Sequence, residues 1–255
     1  MITAWLATPE VEAGRLLFAS LRTATALALL PGIGAMLMPL RVRIGLGGAV
    51  GVFVLGFTPI AVPADLFSAA GLVAVAGEIL IGAIAGVMLQ VAFAGPAIAG
   101  EVVAQSMGLG FATILDPGGM TSPVIATLLG LVAWLVFFAL DGHLRLFEVL
   151  VTSYRSLPPG CNPIELAGRV AGVGALAFAS GLMLALPVAA VLFLVNLLLA
   201  VTARSAPQLN LFAIGFPVLM LTGIVALAVA MPAMIDTMSA GMATVQERLE
   251  GILLG

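Results

Sequence analysis

Few residues in this chain have both the type and the setting to do chemistry, and most of them lie in or beside apolar sequence. Glu101 and Gln105 are four apart and so share a helix face. A charged side chain at membrane depth costs about 2.5–3.5 kcal/mol on insertion scales, so that face is expected to meet protein or water rather than lipid. Glu78 and Gln90 stand alone in another apolar run, and Arg22 in a third. His143, the only histidine, follows Asp141-Gly142 at the end of an apolar run. A relay or ligand role is open to it, but a lone histidine at a segment end more often caps hydrogen bonds. Asn196 sits inside an apolar run, where an amide usually bonds to a neighbouring helix. Arg204 and Gln208 mark a polar tip between two apolar segments and complete a hairpin.

What is missing is also informative. The sequence has no H-E-x-x-H, G-x-S-x-G or Walker A pattern and no Cys/His ligand set, so it reads as neither a hydrolase nor an ATPase, and no cofactor or metal is expected. The single cysteine, Cys161, excludes an intramolecular disulfide. Asp116 and Asp141 flank an apolar run instead of pairing within helices, which weakens an intramembrane enzyme reading.

The elements that must position these groups are apolar helices. Of 255 residues 62% are hydrophobic and 8% charged, with a mean hydropathy of +1.27, against about 25% charged in soluble domains. The expected fold is all-α: an integral membrane protein of long, kinked helical hairpins that pack into a helical hetero-oligomer. Apolar runs extend over Leu16–Leu40, Ile44–Val62, Leu66–Gly95, Val124–Leu140, Val170–Ala203 and Leu211–Ile235. Most reach the roughly 20 residues a bilayer requires. Pro31, Pro187 and Pro217 fall inside them and predict kinks. Gly47/Gly51, Gly82/Gly86 and Gly168/Gly172 have the small-xxx-small spacing that lets helices approach closely. No linker divides the chain, so residues 1–255 are read as one domain. The stretch Met1–Arg15 carries Glu10 and Glu12 and lacks the basic start of a signal peptide, which leaves the first apolar segment as the insertion signal.

All nine basic residues are arginines, and with twelve acids the net charge is −3. That balance leaves no nucleic-acid footprint. The arginines also fail to sort cleanly between alternate loops, as a simple serpentine bundle would require. Some hairpins are therefore expected to pack against other subunits. A secondary transporter is an alternative, with Glu78, Gln90 and Glu101 as coupling sites, although no internal repeat supports it.

The segment from Gly100 to Pro117 carries the most information. After Glu101 and Gln105, Gly108 and Gly110 are expected to loosen the helix, and Asp116-Pro117-Gly118-Gly119 to end it. The outcome is either an ordinary turn or a flexible apolar loop bearing Met107, Leu109, Phe111, Ile114 and Leu115. The pattern G-E-x-x-x-x-x-M-G-x-x-F-A-T-x-x-D-P is met by Gly100, Glu101, Met107, Gly108, Phe111, Ala112, Thr113, Asp116 and Pro117. Gly142-His143-Leu144, Ala206 to Leu209 and Ile214 to Pro217 supply G-H-L, A-P-Q-L and I-G-F-P.

With these blocks the chain resembles the FliR family of flagellar biosynthetic proteins over most of its length and, more distantly, the matching export-gate subunit of injectisomes. The resemblance implies a non-enzymatic subunit that assembles with FliP and FliQ, alongside FlhB, into a gate for unfolded flagellar substrates. It implies contact with membrane lipid, and a place in the bacterial inner membrane and the flagellar basal body. It also implies that residues 107–123 plug the lumen, which would involve Met107, Gly108, Leu109, Gly110, Phe111, Ile114, Leu115, Asp116 and Pro117. The chain departs from common members of the family in lacking lysine and in carrying Gly118-Gly119 after the Asp-Pro pair.

Overall fold

A computed structural model describes residues 9–31, 39–58, 60, 62–63, 65–109, 124–161, 166, 168, 170, 172–205 and 211–255. The regular elements among them are all α-helices: α1 (Pro9–Ala28), α2 (Leu40–Phe57), α3 (Ala69–Ser106), α4 (Val124–Ala139), α5 (Gly142–Ser156), α6 (Val173–Ser205) and α7 (Leu211–Leu253). The all-α expectation holds. Three helices, α3, α6 and α7, are long and apolar enough to cross a membrane, and α4 with α5 makes a fourth if the pair is one broken span. Among the described residues that is fewer than the six apolar runs suggested, because α1 carries Glu10, Glu12, Arg15 and Arg22 and the apolar part of α2 is short.

Boundaries moved for identifiable reasons. The first helix stops at Ala28, so Pro31 lies beyond its end and not within it. Pro187 and Pro217 do lie inside helices, as do Pro96 and Pro232. The third helix runs past Gly95 to Ser106, absorbing Pro96. The last continues well beyond Ile235, because Met238, Met242, Val245, Leu249 and Ile252 keep an apolar stripe at helical spacing, all of them buried. Hydropathy alone loses such a segment, since Asp236, Glu247, Arg248 and Glu250 fill its other face.

Two compact units emerge. One contains residues 1–91, 141–173 and 243–255, and the other residues 92–140 and 174–242. In the first, α1 packs against α2 and α3 at glycine contacts. A Cβ on Gly47 would stand 2.7 Å from Ala24, one on Gly51 2.9 Å from Ser20, and one on Gly82 would overlap the Arg22 carbonyl oxygen. The Gly47/Gly51 and Gly82/Gly86 spacings thus do what small-xxx-small spacing permits. Gly168 and Gly172 do not, having open space around them.

In the second unit α3 and α4 meet through an aromatic cluster, with Phe93 centred 4.2 Å from Trp134 and 5.5 Å from Phe137. A Cβ on Gly100 would collide with the Ala126 backbone. Gly95 lies against Ser180 and Gly181 against Ile98, which brings α6 equally close to α3.

Overpacking a close helix contact costs about 1–3 kcal/mol. Gly82→Ala and Gly100→Ala are therefore expected to lower the unfolding midpoint in detergent, whereas Gly45→Ala, with nothing within 4 Å, should leave it equal or slightly higher. Equal midpoints for all three variants would show that the glycines do not set the helix spacing.

Candidate functional site

The first unit holds a buried ionic cluster. Arg22 on α1 is 0% exposed and Glu78 on α3 is 1% exposed. They pair in a fork, with Arg22 Nε donating to Glu78 Oε2 at 2.9 Å and Nη2 to Oε1 at 2.8 Å. Two further donors go to α5 and its end: Nη1 to Ser153 Oγ at 2.9 Å and Nη2 to the Leu157 carbonyl at 2.9 Å. The guanidinium also lies 4.0 Å from the Tyr154 ring centre, and the Tyr154 hydroxyl donates to the Ala19 carbonyl at 2.7 Å. One cation therefore ties α1 to α3 and α5. Its planar five-donor fork satisfies every partner at once, which an ammonium cannot do.

Local sequence explains the placement. On α5, Leu146, Val149, Leu150, Ser153 and Tyr154 recur at helical spacing and are buried, while Arg145, Glu148, Thr152 and Arg155 form the other face. Asp141 takes a left-handed conformation immediately before this helix, and His143 occupies its first turn, half-buried. Arg145 pairs with Glu250 on α7 in a second fork, which is partly exposed and accordingly weak. Gln90 is neither coupled to Glu78 nor to Glu101; its amide donates to the Leu29 carbonyl just past α1. Cys161 lies beyond α5, where burial pushes its thiol above the usual range.

In the second unit the sequence-predicted loop has a well-defined root. The N–H of Leu109 donates to the Ala104 carbonyl at 3.0 Å and that of Gly108 to the Gln105 carbonyl at 3.0 Å, with Gly108 at φ 80°. This paired stop needs a left-handed residue, which glycine supplies without strain. The helix therefore ends at Gly108 rather than at Asp116-Pro117. Met107 is 1% exposed and its side chain fills the space over Gly223 of α7, so it is fixed packing. Gly110, Phe111, Ile114, Leu115, Asp116 and Pro117 lie outside the described residues, as does Gln208. Glu101 and Gln105 are exposed on one face of α3, one helical turn apart, and Asn196 is exposed on α6. Arg204 is exposed in the last turn of α6, where its charge complements the helix dipole.

The sequence marked Arg22 and Glu78 as charges in apolar runs but did not pair them. It missed Ser153, Tyr154 and the Leu157 carbonyl, for which only the amphipathic spacing of α5 offered a signal. Among the described residues no group of His, Cys, Asp and Glu is arranged to hold a metal. A buried ion pair with these hydrogen bonds ties three helices of the first unit together.

Comparison with known proteins gives consistent matches. The family model of bacterial export proteins, family 1, matches residues 13–245. The chain is similar to the flagellar biosynthetic protein FliR of Pectobacterium carotovorum subsp. carotovorum, at 40% identity over 75% of this chain and 74% of the relative. The protein of that name from Escherichia coli K12 is 37% identical over 83% and 82% of the two chains. The one from Aquifex aeolicus VF5 is 31% identical over 88% of each.

Removing one partner of a buried ion pair costs about 3–5 kcal/mol, whereas replacing both with apolar residues is close to neutral. Arg22→Met should therefore strongly destabilise the chain in detergent, and adding Glu78→Met should recover most of the loss. A double variant as unstable as the two single losses combined would mean that the fork is not the source of the effect.

Proposed function

The chain belongs to the bacterial export proteins of family 1, and from that premise we propose that it is a subunit of the flagellar type III protein export gate. It forms, with FliP and FliQ, the channel for unfolded flagellar substrates, with FlhB as a further partner. Support for the flagellar rather than the injectisome system comes from the names of its relatives, which are flagellar biosynthetic proteins. It works in the bacterial inner membrane within the basal body, a reading supported by its three span-length apolar helices. The family match spans nearly the whole chain and both compact units, and α3 and α7 each run through both, which supports treating residues 1–255 as one functional domain. No catalytic step is assigned to it.

Exposed polar groups on apolar helices support assembly. Glu101, Gln105 and Asn196 lie on the surface of the isolated chain, where lipid would leave them unsatisfied. These residues, with Arg204 and Gln208, are the proposed contacts to neighbouring subunits, while Glu78 serves between helices of this chain.

The observation that carries the gating reading is the specified helix stop at Gly108, with Met107 locked beneath it. Such a root holds still while the segment after it moves. Residues 110–123 then close the lumen, with Phe111, Ile114 and Leu115 excluding water, and a hydrophobic constriction gates by dewetting.

Deleting residues 110–115 leaves the helix stop intact. The assembled complex with this deletion should conduct small ions in a planar bilayer while the parent does not. An assembled deletion variant as impermeable as the parent removes the plug.

A further inference from the structure

Between α2 and α5 the first unit has an open apolar groove with a volume of about 590 Å³, within the range of small-ligand sites. Leu46, Ala49, Val50 and Phe53 form one wall at helical spacing, and Phe147 and Val151 form the other. Two polar side chains, Glu148 and Thr152, stand on the α5 wall one turn apart. Both are exposed, and neither makes a hydrogen bond or ion pair with another described residue. Thr25, Thr202 and Thr237 turn their hydroxyls back onto the carbonyl four residues earlier, as helical threonines commonly do. Thr152 does not. Glu148 lies in the field of Arg145, one turn away, but the hydrogen bonds of that guanidinium go to Glu250.

The groove therefore combines an apolar floor of acyl-chain character with a free carboxylate and a free hydroxyl on adjacent turns, about 5–6 Å apart at their Cβ atoms. The helix that carries them has one charged face and one buried face, so both side chains stand on the side turned away from the protein core. We propose that this groove holds one phospholipid whose headgroup bears a primary ammonium, of the phosphatidylethanolamine class. Glu148 receives the ammonium, Thr152 donates to a phosphate oxygen, and an acyl chain lies between Phe53 and Phe147. A carboxylate at the mouth disfavours anionic headgroups lacking an amine, and a quaternary ammonium cannot donate a hydrogen bond to it. The proposal rests on the reading that this unit lies in a bilayer, and not on what the gate transports.

Native mass spectrometry of the full chain released from nanodiscs tests it, with palmitoyl-oleoyl phosphatidylethanolamine, phosphatidylcholine and phosphatidylglycerol as the probes. The parent should retain one phosphatidylethanolamine in preference to either other lipid by about tenfold, the worth of a charge-assisted hydrogen bond. Glu148→Gln should abolish the preference, and Ala49→Trp, which fills the groove from an exposed position, should abolish retention of any lipid. The proposal is overturned if the parent shows no headgroup preference, or if Glu148→Gln keeps the parent's preference. It is equally overturned if both variants hold lipid as the parent does but lose a co-purifying subunit or a second copy of the chain, because the groove is then a protein seat. Motility of cells carrying these variants is a separate readout: a motile strain with the preference lost leaves the lipid site standing and the export reading untouched.

Discussion

Arg22 carries the one interaction on which the first unit depends. A guanidinium with no exposure to solvent is stable only if its donors find acceptors and its charge is matched. Here the fork to Glu78 supplies the opposite charge, and Ser153 Oγ and the Leu157 carbonyl take further donors. These contacts come from α1, α3 and the end of α5, so none of the three can slide along another without breaking the ion pair or leaving a guanidinium donor unsatisfied. Packing alone would not give this. The glycines at 47, 51 and 82 bring backbones close, but a smooth small-residue interface tolerates a shift by one turn. The ionic cluster fixes the register that the glycines leave open.

The second unit solves the same problem without a buried ion pair among its described residues. Its α3–α4 contact rests on Phe93, Trp134 and Phe137, whose tilted and edge-on rings interlock, and on Gly100 against Ala126. Aromatic pairs of this kind contribute about 0.5–1.5 kcal/mol beyond the area they bury. They also specify geometry without burying a charge.

How much of this was legible in the sequence depended on whether a signal was apolar or cooperative. The centres of α3, α4, α6 and α7 were readable because long apolar runs have few alternatives to a helix. The limits of α1 were not, since its first turns are polar and Pro31 lies in an apolar context that hid the break. The C-terminal turns of α7 and the whole of α5 were lost for a common reason: both are amphipathic, and averaging hydropathy over a window cancels the two faces. The ion cluster was half visible. Charges at 22 and 78 in apolar runs each demand a partner, but 56 positions separate them and nothing local names the pairing. The stop at Gly108 shows the opposite case, in which the residue type was right and its role misjudged. A glycine with φ 80° two positions beyond the last helical residue does not loosen the helix but closes it, using carbonyls that the sequence alone cannot show to be free.

These observations give the two glycine habits of the chain different consequences. Where glycine faces a neighbouring helix, as at 82 and 100, its missing Cβ brings backbones together and makes the contact rigid. Where it ends a helix, as at 108, its permitted left-handed conformation satisfies the terminal carbonyls and leaves the next residues without an obligation to continue. A helix held by the first kind and ended by the second is a fixed post. The third helix is held in the first unit by Gly82 and the Arg22–Glu78 fork, and in the second by Gly100 and Phe93. It then stops within two residues of Met107, buried against α7. Any motion after that point is local by construction, because displacing the post would break a buried ion pair or force an aromatic cluster apart. An export subunit with a moving closure needs this division, since a gate that softened its own frame while opening would lose the register that lets it close again.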